Sequence, residues 1–222
     1  MGSRRIGPSI LVLLAAVALG AVALAGCGGG GSSSDDNGGT TGSGGEISTA
    51  PISMPDEIDG YRELVAAIEA NGSPTKIVKA QSANQEKTAE ATAAAYSKAF
   101  GGAAAAYRGY ADPALLKLPY VIAVRAEAPG LVIGPVVDPS YLGLANAERE
   151  VQSVGDVECQ IAWTPPAAEG TKPDPTSEVT TNCQRVGSGV SVFVGSAGFE
   201  GPSGLKSMAE FTEAAWQSIV SG

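Results

Sequence analysis

Apolar and polar positions change their rhythm several times along this chain, and each change marks an element. Residues Ile10 to Ala25 are almost wholly apolar. From Gly28 to about Ala50 there is no apolar rhythm, only runs of Gly, Ser, Thr, Asp and Asn. After a lead-in rich in Pro and Asp, from Ser53 to Gly60, residues Tyr61 to Ala70 fit a short helix ended by Asn71-Gly72. A stronger helical signal follows. Ser82 or Asn84 offers an N-cap, Glu86 lies in the first turn, Ala89 to Phe100 is rich in good helix formers, and Gly101-Gly102 stops the run. The apolar face of this helix is Ala-rich, with Tyr96 and Phe100 as anchors.

Five extended stretches come next, most of them separated by turn residues: Ala104 to Tyr110, Tyr120 to Ala126, Glu150 to Trp163, Val179 to Val186 and Gly189 to Gly195. The clearest alternation sets Val157, Cys159, Ile161 and Trp163 against Glu158 and Gln160. That is the pattern of a half-solvated antiparallel strand, and it turns Cys159 inward. Val179, Thr181 and Cys183 can line the same side of a neighbouring strand, with Thr164 to Ser177 as a polar loop between them. From Ser203 to Val220 the period is helical again. Leu205, Met208, Ala215 and Ile219 form a stripe, Phe211 and Trp216 flank it, and Ser203 is placed to cap. The expected fold is α+β: an antiparallel sheet of four to five strands with helices packed on one face, after a signal peptide and a flexible tether.

The first segment has the layout of an export signal, with Arg4 and Arg5 ahead of the apolar run and small residues at its end. Its last residues, Leu24-Ala25-Gly26-Cys27, resemble the lipobox of bacterial lipoproteins. The resemblance implies cleavage before Cys27, a diacylglyceryl thioether on that cysteine carrying acyl chains such as palmitate, and anchoring at the extracytoplasmic face of the cell membrane. Two other readings stay open, an uncleaved membrane helix and an ordinary secretory leader. The helix fits less well because a span takes about 20 apolar residues. The organisation expected is a signal peptide over 1–26, a lipid-anchored Gly/Ser linker over 27–50 and a single extracytoplasmic domain over 51–222. A Gly-rich coil of about 22 residues has a root-mean-square span of roughly 25 Å, so the tether gives reach without fixed orientation.

Roughly 170 residues then remain to fold, enough for one real core. Hydrophobic residues make up 44 % of the chain but aromatic ones only 5 %, which predicts a core built largely from Ala, Val, Leu and Ile. The formal charge is −9; removing Arg4 and Arg5 leaves 12 basic against 23 acidic residues, or −11. With its few basic residues scattered, such a chain is not expected to bind nucleic acid. There is no histidine, which removes the commonest general base and metal ligand and every Ser-His or Cys-His arrangement. Of three cysteines, assigning Cys27 to lipid leaves Cys159 and Cys183 as the one possible disulfide in an oxidising compartment.

Catalytic motifs fare poorly on spacing. Ser73-Pro-Thr-Lys76, Ser82-Ala-Asn84 and Lys87-Thr-Ala89 follow the order of the penicillin-binding enzymes, but within one short stretch rather than on separate converging elements. A second Ser-x-x-Lys, Ser203 to Lys206, is better read as a helix start. No phosphate loop or nucleophile elbow is present, so no cofactor is expected. Asp156 and Glu158 could share a strand face as an acid pair or a calcium edge, although a solvated outer face is the more ordinary reading. Tyr107-Arg108-Gly109-Tyr110, with Tyr120 and Trp163, could line an aromatic groove for a sugar or peptide, or simply pack in the core.

Several segments, taken in order, resemble uncharacterised actinobacterial lipoproteins or single-span proteins. They are the lipobox, the Gly/Ser tether, "PDEIDGY", "AFGGAAAAYRGYADP", "VGDVECQIAW", "TTNCQRVGSGVSVFV" and the closing "EAAW". The resemblance implies a location and a domain type, not an activity. The functional expectation is a non-catalytic binding or interaction module, held to the membrane through lipid on Cys27 and facing an envelope protein, peptide or glycan. The alternatives are a cell-envelope hydrolase using carboxylates, for which Asp156 and Glu158 are raw material, and a structural envelope component.

Overall fold

A computed structural model describes residues 47–131 and 138–222. The leader, Cys27 and most of the tether lie outside the described residues. In chain order the elements are β1 (Glu57–Ile58), β2 (Tyr61–Glu63), α1 (Leu64–Ala70), α2 (Thr75–Ala99), β3 (Ala105–Ala111), β4 (Tyr120–Val124), β5 (Arg149–Val154), β6 (Val157–Trp163), β7 (Glu178–Gly187), β8 (Val190–Gly195) and α3 (Gly204–Ser221). The strands form one antiparallel sheet in the order β1-β2-β3-β4-β8-β7-β6-β5. The fold is therefore a mixture of helices and a single antiparallel sheet.

Eight strands replace the expected four to five. The stretch from Glu150 to Trp163 is a hairpin, not one strand: Gly155 takes φ +61° in the turn before Asp156, a conformation that favours glycine, and divides β5 from β6. The lead-in supplies β1, and the start of the expected first helix supplies β2. Tyr61–Glu63 pairs with both β1 and β3, so α1 starts at Leu64, where the Glu63 carboxylate accepts from the amides of Val65 and Ala66. Arg108 binds the lead-in down, donating to the carbonyls of Met54 and Pro55 and to Asp56, while the Tyr110 hydroxyl donates to Pro55.

Helix α2 is longer than expected. It starts at Thr75 behind Pro74, so Ser82 and Asn84 lie inside it rather than at its cap. Helix α3 matches the expected span, but Ser203 has α-helical backbone angles and its side chain makes no capping bond.

The helices do not share one face of the sheet. Val121 and Ala123 of β4 join Val192, Val194, Cys159 and Cys183 in the core under α3, against Met208, Phe211, Ala215 and Ile219. Ile122 and Val124 point the other way and pack with Tyr96 and Phe100 at the end of α2. An unbroken apolar run such as Val121-Ile-Ala-Val124 marks a strand buried on both sides, and the expectation of helices on one face overlooked it. The α3-side core also departs from composition. Tyr110, Phe199 and Phe211 are its largest buried side chains, and Tyr61 meets Phe211 edge-on at 4.8 Å. Aromatic side chains serve both faces, Tyr61, Tyr110, Phe199 and Phe211 under α3 and Tyr96, Phe100 and Phe193 beside α2.

Candidate functional site

Strand register aligns residues across the sheet face opposite α3. One row runs Gly109, Tyr120, Gly195, Asn182, Gln160, Val151, each paired with the next from β3 to β5. A second row, one step along the strands, runs Tyr107, Ile122, Phe193, Gln184, Glu158, Ser153. The second row is covered from both ends. Tyr96 and Phe100 of α2 pack on Phe193. From the other side, residues 127–131 cross the sheet as a strap fastened strand by strand: Ala128 N–H donates to Ser191 Oγ, Gln184 Nε2 donates to the Pro129 carbonyl, and Leu131 N–H donates to Glu158 Oε2. Gly109 is buried under α2, but from Tyr120 onward the first row lies beyond these covers, with Asn182, Gln160 and Val151 half-buried and Tyr120 exposed.

Two glycines shape that row. A Cβ on Gly109 would stand 2.9 Å from Gln85 Nε2, so the glycine lets α2 lie close on β3. A Cβ on Gly195 would overlap the hydroxyl and Cζ of Tyr120. The tyrosine ring therefore lies across β8 over Gly195 and stays 38 % exposed. Tyr107 stacks beside it at 5.8 Å between ring centres. Burial pushes both phenols up, Tyr107 to about 12 with help from Tyr120, so both keep their protons across the physiological range and can donate as well as accept. Thr181 Oγ1 donates to the Gln160 carbonyl at 3.2 Å and has Asn182 Oδ1 as a second acceptor at 3.3 Å. The Asn182 amide nitrogen, the Gln160 side chain and the Tyr120 hydroxyl have no hydrogen-bond partner among the described residues.

Gly195→Ala tests this geometry. The added methyl cannot coexist with the ring where it lies, so Tyr120 swings outward. The expected result is a loss of about 1–3 kcal/mol, typical of overpacking, together with greater solvent accessibility of one tyrosine. Urea unfolding and ultraviolet solvent-perturbation difference spectra measure the two effects.

The six aromatic-groove residues do not form one groove. Tyr107 and Gly109 face α2, whereas Arg108 and Tyr110 face the other side, where Tyr110 meets Phe211 at 6.0 Å between ring centres. Trp163 ends β6 opposite Glu178, on the side of Ile161. Alternation along a strand forbids neighbours in sequence from sharing a face. Tyr107 and Tyr120 are what remains of that grouping. Gln85, Asn182 and Gln160 carried no recognisable motif; Gly195 at the end of a strand was the one local hint of a close approach.

Asp156 and Glu158 both border a shallow cleft of about 300 Å³ at the β5–β6 turn, along with Ser153 and Gln184. They do not act as a pair on one strand face. Asp156 sits in the turn and accepts from Arg185 at 3.0 Å, while Glu158 holds the strap. Arg185 is itself shared with Glu213 and lies over the Trp216 ring, an arrangement that ties the turn to α3. Among the described residues, no group of three or more Cys, Asp or Glu side chains is placed to hold a metal. The segments of the Ser-x-x-Lys arrangement lie on α2 or at its start, and one helix cannot bring them to a common centre.

Cys159 and Cys183 face each other in register on β6 and β7 and form a disulfide, as counting cysteines led us to expect. Both are buried beneath α3, which makes the bond part of the core.

No protein family, curated protein or solved structure matches the chain.

Proposed function

We propose that this protein is a lipid-anchored envelope lipoprotein of the actinobacterial type whose domain acts as a non-catalytic binding module on the extracytoplasmic face of the membrane. The open row of Tyr120, Asn182 and Gln160 carries the binding half of the reading. These side chains have hydrogen-bonding capacity to spare, beside an exposed ring, on a sheet face that helix and strap cover in part. A binding surface needs a few convergent polar groups and an apolar contact, and the row supplies both. The Leu24-Ala25-Gly26-Cys27 motif and the Gly/Ser tether support the address. Lipid chains contribute about 0.8 kcal/mol per buried methylene, enough for two or three together to hold the domain at the bilayer. The acid pair weighs less for a hydrolase, because Asp156 is taken up by Arg185 and Glu158 by the strap.

Intact mass of the membrane-extracted protein tests the address. The expected mass corresponds to cleavage before Cys27 with lipid attached, and two further thiols become alkylated only after reduction. An unlipidated or uncleaved mass removes the anchor from the proposal.

A further inference from the structure

The chemistry of the open row narrows the ligand. Tyr120, Asn182 and Gln160 are neutral, and on the strands beside them Glu158 of β6 and Arg149 of β5 face the same way, one charge of each sign. These two strand charges are opposite in sign, although the chain as a whole is strongly acidic. Such a surface gives no counter-charge to an anion or a cation, and the surrounding negative charge repels anions further. What it offers is a ring face beside amide and phenol groups that both donate and accept. Tyr120, Asn182 and Gln160 lie on β4, β7 and β6, strands already paired on both sides, so an extended peptide cannot pair with the strands that carry them; the free edge at this end of the sheet belongs to β5. A molecule with flat C–H faces and a hydroxyl at nearly every carbon meets these terms.

We infer that the row Tyr120–Asn182–Gln160 binds a neutral glycan, a sugar ring stacking on Tyr120 and its hydroxyls bonding to the Asn182 and Gln160 amides. Strand spacing of about 4.8 Å places Asn182 and Gln160 one strand apart, and Tyr120 lies over Gly195, which pairs with Asn182. The contact therefore spans two or three sugar units across the strands rather than a single enclosed one. Gly195 is a positioning residue, holding the ring down. This inference rests on the binding-module reading and gives that module its ligand class.

The test uses the full chain in lipid nanodiscs and biolayer interferometry against immobilised neutral hexasaccharides of glucose, mannose, galactose and arabinose. An oligogalacturonate and an uncharged polar hexapeptide complete the probes. At least one neutral hexasaccharide is expected to bind and the oligogalacturonate is not. Replacing both amides (Asn182→Ala with Gln160→Ala), or Tyr120→Leu, is expected to weaken binding about tenfold or more. Tyr120→Phe keeps the stacking face and loses only a few-fold, and Glu210→Gln on α3 changes nothing. Unfolding midpoints of each variant separate lost contacts from lost fold; if Tyr120→Leu unfolds the chain, the amide pair decides. Binding of no neutral sugar, or sugar binding indifferent to the amide variants, overturns the inference. Capture of the hexapeptide alone overturns the ligand class and leaves the binding module standing, whereas cleavage of any sugar probe overturns the module itself.

Discussion

Replacing Phe211 with alanine is expected to cost about 3–5 kcal/mol, the range for emptying a large aromatic site in a packed core. The side chain is fully buried at the centre of the α3-side core. It meets Tyr61 edge-on at 4.8 Å and Tyr110 at 6.0 Å, contacts worth something beyond area alone. Its neighbours cannot collapse freely into the gap. Tyr110 is fastened through its hydroxyl to Pro55, and Tyr61 is held in β2 by pairing with β1. A domain of this size is stable by about 5–15 kcal/mol, so the variant sits near the folding threshold. Urea unfolding measures the loss through the midpoint at unchanged slope. Phe211→Leu should recover more than half of it, and a loss below about 1 kcal/mol for the alanine variant would show that α3 does not carry the core.

Removing the disulfide has the second largest expected effect. Cys159 and Cys183 are separated by 24 residues, and closing a loop of that length stabilises a fold by about 3 kcal/mol in the chain-entropy model. The double variant Cys159→Ala with Cys183→Ala should lose that amount, plus a smaller term for the emptied volume under α3. Both residues are buried, so no thiolate reaches the bond while α3 is in place. In native buffer, dithiothreitol followed by iodoacetamide should leave the two sulfurs unlabelled; in concentrated urea both should be labelled within the same time. Equal labelling in the two conditions would place the bond at an accessible surface and contradict its position in the core.

Both predictions concern the α3 side of the sheet, the side that local sequence described best. The alternation of Val157, Cys159 and Ile161 against Glu158 and Gln160 reports which residues of β6 face the core, because side chains of a strand alternate with a period of two. The stripe of Met208, Ala215 and Ile219 does the same for α3 with a period near 3.6. Elsewhere local signals were weaker. The first half of α2 carries no apolar stripe, so its start was misplaced, and β1 and β2 are too short to show alternation.

By itself the sequence determined the mixed class of the fold, the inward side of β6, the extent of α3, the end of α2 at Gly101-Gly102 and the pairing of Cys159 with Cys183. Each depends on a period or a cap complete within a short stretch of chain, or, for the cysteines, on a count over the whole of it. Only the tertiary structure decided that β8 lies between β4 and β7, that α2 covers the opposite face from α3, and that Tyr120, Asn182 and Gln160 share one row. Periodicity says which way a side chain points, but not which strand lies beside it. Neighbours in a sheet are chosen by register and packing across long loops, and residues 120, 160 and 182 acquire a common role only once those choices are made.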